Sequence, residues 1–308
     1  MNNKHTSPLF SLVVANYNNG RFLAECINSI KKQTYTNWEV ILVDDASEDN
    51  SHELYKAYID EPRIKIMYNN ENKGVGYTKK KAVENASGEY IGIVDPDDKI
   101  IPETLTLVID QFEKNKNAAI VHTNHYICDE NLNIIKISTN SGQIPSGESQ
   151  LSFEGPKIGS FWAMRKKFYD KTEGINPTFK CAEDQDILYK LEEVGSVIYI
   201  NVPAYFYRYH SGGISTTNNI LNAVYWNLIA STKAHKRRKK NKFNTVNISK
   251  KRLNKRWLGY YQSRMTGEAK YKNLKNVLIF FLRSLKHIRF DSKAKTFKVF
   301  IYSLLNKY

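Results

Sequence analysis

LFSLVVANYNNGRFLAECINSIKKQTYTNWEVILVDDAS, residues 9–47, is the stretch that decides the fold. Leu9–Ala15 is short, apolar and β-branched, the pattern of a strand buried on both faces. Within Arg21–Lys32, Phe22, Cys26, Ile27 and Ile30 recur at helical spacing, which predicts an amphipathic helix. Trp38–Val43 is a second apolar strand. A strand–helix–strand succession of this length is a crossover unit, which pairs its two strands in parallel.

The rhythm continues on the C-terminal side. Asp49–Ile59 reads as a helix with Asp49 or Asn50 available as its cap. Arg63–Tyr68 alternates like a third strand, Gly76–Ala86 reads as a helix, and Tyr90–Val94 is a fourth strand. Pro102–Lys114 is a helix with proline in its first turn. The succession predicts a mostly parallel sheet with helices on both faces. Such sheets bind ligands beyond the carboxyl ends of their strands. That rule selects Asn16–Asn19, Asp44–Ser47 and Asp95–Asp98. Further along, Ala118–Cys128 and Phe161–Met164 are strand candidates, Ser138–Ser149 reads as a loop, and Ala182–Val194 is a helix. Val197–Ile200 and Tyr205–Tyr209 are two more strand candidates.

Charge divides the chain. Residues 1–215 carry 23 Lys+Arg against 29 Asp+Glu, whereas residues 216–308 carry 23 against 2. A mildly acidic body therefore bears a strongly basic tail, with a candidate domain boundary near Ser215. Helical stretches are expected near 219–235, 250–265 and 271–288, and seven of the ten residues Lys233–Lys242 are Lys or Arg. No segment has the ~20 consecutive apolar residues of a membrane span. Met1–Pro8 is polar and lacks the apolar core of a signal peptide, so a cytosolic start is expected. Cys26, Cys128 and Cys181 show no paired spacing, so neither a disulfide framework nor a zinc site is indicated.

Three acidic clusters stand beside predicted elements: Asp44-Asp45, Asp95-Pro96-Asp97-Asp98 and Glu183-Asp184. Asp and Ser also populate caps and turns, so one such cluster alone carries little. Three on one edge of one sheet point to chemistry. Carboxylates at i and i+2 in a turn suit one hard divalent cation, Mg²⁺ or Mn²⁺, which binds through a few carboxylates plus substrate phosphates. Gly74–Lys79 matches neither a dinucleotide fingerprint nor a P-loop. His122 and His125 read as structural or surface residues.

The segments VVANYNNGRFLAECINSIKKQTYTNWEVILVDDASEDNS (13–51), NKGVGYTKKKAVENASGEYIGIVDPDD (72–98), CAEDQDILYKL (181–191) and YRYHSGGIS (207–215) together resemble a family 2 inverting glycosyltransferase of bacterial surface-polysaccharide type. The resemblance implies an α/β GT-A fold, a Rossmann-like mixed, mostly parallel sheet, over 1–215. The basic helical extension spans 216–308. It implies transfer of a hexose or N-acetylhexosamine from a UDP-sugar donor to a hydroxyl of a glycan or lipid-linked glycan acceptor, with Mn²⁺ or Mg²⁺ as cofactor. By the same resemblance Tyr17 packs on the donor base and Asp45 accepts a hydrogen bond from its edge. Asp95 holds the ribose or a metal-bound water, Asp97 ligates the metal, and His210 reaches the metal or diphosphate. Asp184 is the catalytic base, and Glu183 beside it contacts the acceptor. Lys79-Lys80 stands where the family carries an Arg-Asn pair, and Lys79 serves the diphosphate as a point charge. Trp162 either lines an acceptor groove or belongs to the core.

Two other readings stand beside this one. A sugar-nucleotide pyrophosphorylase shares a related sheet but needs a glycine- and basic-rich loop that Asn16–Gly20 does not supply. A catalytically vestigial binding module conflicts with the intact acidic motifs. The tail reads as a cap packed on the body, as an attachment to an anionic membrane surface on the inner face of the cell membrane, or, least favoured, as a nucleic-acid contact without a recognised module.

Overall fold

The computed structural model describes residues 7–213, 219–241, 243, 245–288 and 293–305. Met1–Thr6 and the composition break at Ser215 lie outside the described residues, as does Lys242 at the end of the cationic run.

The opening rhythm folds as read. Strand β1 (Phe10–Asn16), helix α1 (Gly20–Lys31), β2 (Trp38–Asp44), a short α2 (Ser51–Tyr55) continued by a 3-10 turn, β3 (Ile64–Tyr68), α3 (Val75–Glu84) and β4 (Tyr90–Ile93) follow in order. β3, β2, β1 and β4 pair in parallel. Alternate strand residues enter opposite cores. Leu12, Val14, Val40 and Leu42 pack with α1, and Val13, Ile41 and Val43 pack with α3 and the acidic helix described below. Burial on both faces is why these strands lack polar alternation.

Beyond β4 the sheet becomes mixed. A two-residue β5 (Lys99–Ile100) and α4 (Thr104–Lys114) lead into β6 (Ala118–Cys128), β7 (Ile134–Ile137), β8 (Trp162–Arg165), a one-turn α5 (Lys166–Tyr169), α6 (Glu183–Glu192) and β9 (Ser196–Arg208). β8 runs antiparallel between β4 and β6, while β6 and β9 pair in parallel. The two strand candidates within 197–209 are one strand. Pro203, which lacks an N–H, sits opposite Asn124 where the register shifts, so a bulge in the β6–β9 pair accommodates it.

The expected caps of α2 change role. Asn50 occupies the cap position without a side-chain bond. Asp49 instead accepts from Gly20 N at 2.8 Å, placing a carboxylate on the first N–H of α1. A Cβ on Gly20 would lie 2.9 Å from the backbone N of Ser51, an atom that cannot swing away as the nearby Asn50 side chain can.

The basic tail forms α7 (Ile220–Asn241), α8 (Lys250–Lys270), α9 (Leu274–Ser284) and α10 (Lys293–Leu304). It shares a core with the body: Leu228, Ala234, Leu253 and Trp257 cluster with Leu151, Phe179 and Tyr189. The cationic run is partly internal. Arg238 is 3% exposed and pairs with Glu192 at 2.7 Å and Glu193 at 2.9 Å, and Arg237 also bonds Glu193. These pairs lock α7 onto the C-terminal end of α6. Among the described residues no helix is long and apolar enough to cross a membrane.

Helix α3 approaches the loop before α6 through Gly76. A Cβ there would lie 2.7 Å from Phe179 O and 2.8 Å from Asn176 O, both backbone atoms that cannot swing away. Gly76→Ala is therefore expected to cost about 1–3 kcal/mol by overpacking. Equal denaturation midpoints for variant and parent would contradict this close approach.

Candidate active site

The carboxyl ends of β1, β2 and β4 place three loops side by side. Asn16 pairs in register with Asp44, Asp45 N donates to Asn16 O at 2.8 Å, and Val94 N donates to Val13 O at 3.0 Å. The groups that the sheet rule selected thus share one edge.

The first acidic cluster divides at the end of β2. Asp44 is fully buried. Its Oδ1 accepts from Ser47 N at 2.9 Å, and Tyr55 Oη donates to its Oδ2. It is a fold residue. Asp45, 3% exposed, turns to the other side of the strand end. Its Oδ1 accepts from Asn69 Nδ2 at 2.7 Å and Lys73 N at 2.9 Å, and its Oδ2 accepts from Gly74 N at 2.8 Å. This carboxylate anchors the Asn72–Gly74 loop against the sheet edge and retains acceptor capacity on Oδ2. Tyr17 is 43% exposed at the end of β1, with its ring available to a planar ligand.

The second cluster also divides. Asp98 is 1% exposed, and its Oδ1 accepts from Arg208 N at 2.7 Å; burial, then the neighbouring Asp97 and Asp95, push its carboxyl well above the usual range. Arg208 is buried as well. Its guanidinium donates to Asp97 O, Glu130 O and Glu25 Oε2, so it fixes the backbone of the 95–98 turn. All of these guanidinium bonds go to the protein itself. Asp95 and Asp97 keep partial exposure.

Asp97 Oδ2 lies 2.9 Å from His210 Nε2. His210 is 6% exposed, rests edge-on against Phe22 with centroids 5.0 Å apart, and has Arg21 Nη2 3.4 Å from its Nδ1. A carboxylate oxygen and an imidazole nitrogen are thus neighbours in direct contact. Among the described residues no group of three or more His, Cys, Asp or Glu side chains could hold a metal ion. A divalent cation at Asp97 and His210 would therefore draw its remaining ligands from phosphate oxygens and water, as Mg²⁺ and Mn²⁺ commonly do. The donor set fits such an ion.

The third cluster opens α6. Glu183 is 4% exposed and buried against Lys79, whose Nζ lies 2.8 Å from Glu183 Oε1 and 3.1 Å from Asp95 Oδ1. Lys79 itself is 7% exposed, and its ammonium is held well above its ordinary pKa. Burial opposes that charge, but Asp95, Glu183 and Asp184 together outweigh it. Lys79 therefore ties the 95–98 turn to the start of α6. Asp184 is half-buried beside this pair. Desolvation, reinforced by Glu183, pushes its carboxyl up to about 6, while Lys79 and the Gln185 N–H partly offset the rise.

Three non-glycine residues with positive φ border these groups: Asn18 (56°), Ala46 (62°) and Ala182 (57°). They follow Tyr17, follow Asp45 and precede Glu183. Each costs on the order of 1–2 kcal/mol and is held by its surroundings.

Asp95, Lys79 and Asp184 stand on the wall of a cleft of about 1030 Å³. Its other walls include Trp162, Tyr207 and Tyr209 from the sheet, and Asn227, Lys255 and Tyr260 from α7 and α8. Trp162 is 4% exposed and packs in the core against α6, with one side on the cleft wall. The contribution of α7 and α8 had no signal in the sequence, because it depends on how the tail folds back.

Residues 11–173 match the sequence profile described as Glycosyl transferase family 2. The chain is 30% identical over 230 residues to Glycosyltransferase GlyG of Streptococcus pneumoniae serotype 4, covering 68% of this chain and 74% of that protein. It is 31% identical over 199 residues to the Chondroitin synthase of Escherichia coli, but that match takes in 64% of this chain and only 28% of the synthase. Among solved structures it resembles S. aureus TarS, with a TM-score of 0.62 at 16% identity over 96% of this chain and 53% of that one. A crystal structure of TarS residues 1–349 in complex with UDP-GlcNAc superposes with a TM-score of 0.57, also at 16% identity, over 96% of this chain and 81% of that one. The similarity to TarS describes the GT-A architecture. The profile match and the similarity to GlyG establish descent: the chain is a member of glycosyl transferase family 2.

Proposed function

We propose that this chain moves a hexose or N-acetylhexosamine from a UDP-sugar to a hydroxyl of a glycan or lipid-linked glycan, with inversion, in the assembly of a surface polysaccharide. The observation that carries the reading is Asp184. It is a half-buried carboxyl raised to about 6, on the wall of a cleft it shares with Asp95. The UDP-GlcNAc complex of TarS supports the donor class, and relatives named as chondroitin synthases support the polymer setting.

In this reading Tyr17 stacks on the base and Asp45 Oδ2 accepts from its edge. Asp95 takes the ribose or a metal-bound water. Asp97 and His210 would hold Mn²⁺ or Mg²⁺, which when bound neutralises charge on the departing diphosphate. Lys79 adds positive charge close to that position while its ammonium holds Asp95 and Glu183. The acceptor sugar lies against Trp162 and the aromatic residues opposite it, within reach of Asp184. The acceptor hydroxyl attacks C1 as its proton passes to the Asp184 carboxylate. The new C1–O bond forms on the face opposite the breaking bond to UDP, whose electron pair leaves with the diphosphate. One carboxylate suffices, in contrast to glycoside hydrolysis.

A base must be deprotonated to accept. The rate, measured as kcat/KM, is expected to fall below pH ~6 with about a tenfold loss per unit, since that ratio reports the free enzyme. The test is UDP release from a panel of UDP-sugars with hydroxyl acceptors across pH 4.5–8.5 (a range of about four units spanning the carboxyl's titration). A flat profile through pH 6, or release with no donor in the panel, would overturn the assignment.

A further inference from the structure

The helical extension carries an apolar surface that the transferase reading does not use. Helix α9 divides its apolar residues between two faces. Val277, Phe280 and Phe281 are buried with Met265 of α8, and Phe281 stacks on Phe300 of α10 at 3.9 Å. Leu274, Leu278, Leu282 and Leu285 are 43–53% exposed. At about 100° per residue these four fall within an arc of roughly 80°. Helix α10 repeats the arrangement: Phe297, Ile301, Leu304 and Leu305 are 38–55% exposed and occupy an arc of roughly 100°.

Cations accompany both stripes. Residues 270–308 contain ten Lys+Arg and one acidic residue, Asp291. At helical spacing Lys275 and Lys286 border the α9 stripe, and Lys298 borders the α10 stripe. A second copy docked face to face would set these cations against one another. An anionic surface complements them, and an apolar stripe flanked by lysines on a non-spanning helix is the form that inserts into a lipid headgroup region.

We infer that α9 and α10 form an in-plane docking face for an anionic lipid bilayer, with Leu278 and Leu282 of α9 among the inserting residues. The inference does not depend on the transferase reading.

The test is flotation of the full chain with phosphatidylcholine vesicles and with vesicles containing roughly 30 mol% phosphatidylglycerol. The chain is expected to float with the anionic vesicles alone and to be released by high salt. Leu278→Glu/Leu282→Glu is expected to lower the bound fraction at least about tenfold, with unchanged helical circular dichroism and melting temperature. Lys275→Glu/Lys286→Glu, which leaves the leucines in place, is expected to weaken binding in the same direction. Three results would each overturn the inference: no flotation of the parent chain with anionic vesicles, equal flotation of all variants, or a dimer in sedimentation that the leucine substitutions abolish.

Discussion

Asp184→Asn is expected to lower turnover by roughly 10²–10⁴-fold, the range that a positioned general base contributes. Asparagine preserves shape, and its side-chain oxygen retains the bond from Gln185 N, which Asp184 Oδ1 accepts at 2.7 Å. What it loses is the ability to take a proton. The same substitution is expected to stabilise the fold. The folded protein holds this carboxyl at about 6, above an unfolded value of about 3.9, so ionising it costs folding free energy. That cost is fully present above pH ~6 and absent below pH ~4. The variant should therefore melt higher than the parent at pH 8, with the difference vanishing near pH 4. An active variant, within about tenfold of the parent, would remove Asp184 from the chemistry. A loss of activity joined to a loss of stability would mean a structural role instead.

Lys79→Met is expected to have the largest effect on stability. The ammonium is buried and lies within 3.1 Å of two carboxylates, one of them 4% exposed. Removing one member of a buried ion pair leaves an uncompensated charge, at about 3–5 kcal/mol. For a chain of this size that corresponds to a fall in melting temperature of roughly 10 °C. Asp184 is affected as well, because Lys79 is a neighbour that lowers its pKa. The acid limb of the pH–rate profile should consequently move to higher pH. Adding Glu183→Gln removes the stranded carboxylate and should recover part of the stability, so the two substitutions are expected to be non-additive. Additive losses would contradict the coupling of the 95–98 turn to α6 through Lys79.

Much of this site was legible because the sheet puts sequence motifs where chemistry occurs. Apolar runs of strand length separated by helical periodicity describe the β1–β4 half, and Tyr17, Asp45 and Asp95 follow the strands it predicts. The remainder depends on partners distant in sequence. Asp44 and Asp45 read as one cluster, yet adjacent residues at a strand end face opposite ways, and one is spent on Tyr55. Nothing near Lys79 announces an ion pair with a residue 104 positions away. Arg237 and Arg238 sit inside a cationic run with no acidic residue near them in sequence, and only the packing of α7 on α6 brings them to Glu192 and Glu193. Strand β7 escaped notice because all four of its residues are exposed, so it has no alternation to detect. The helix expected near 271–288 carries two apolar faces: tertiary packing buries Phe280 and Phe281 and leaves Leu278 and Leu282 outside.

In the proposed function a metal at Asp97 and His210 completes a nucleoside diphosphate site. Isothermal titration of UDP into the full chain, with Mn²⁺ and then with EDTA, tests it most directly when run beside Asp97→Ala. UDP is expected to bind the parent with Mn²⁺, and to bind at least about tenfold more weakly both with EDTA and in the variant. Equal UDP affinity in all three, or no UDP binding by the parent with Mn²⁺ present, would contradict it.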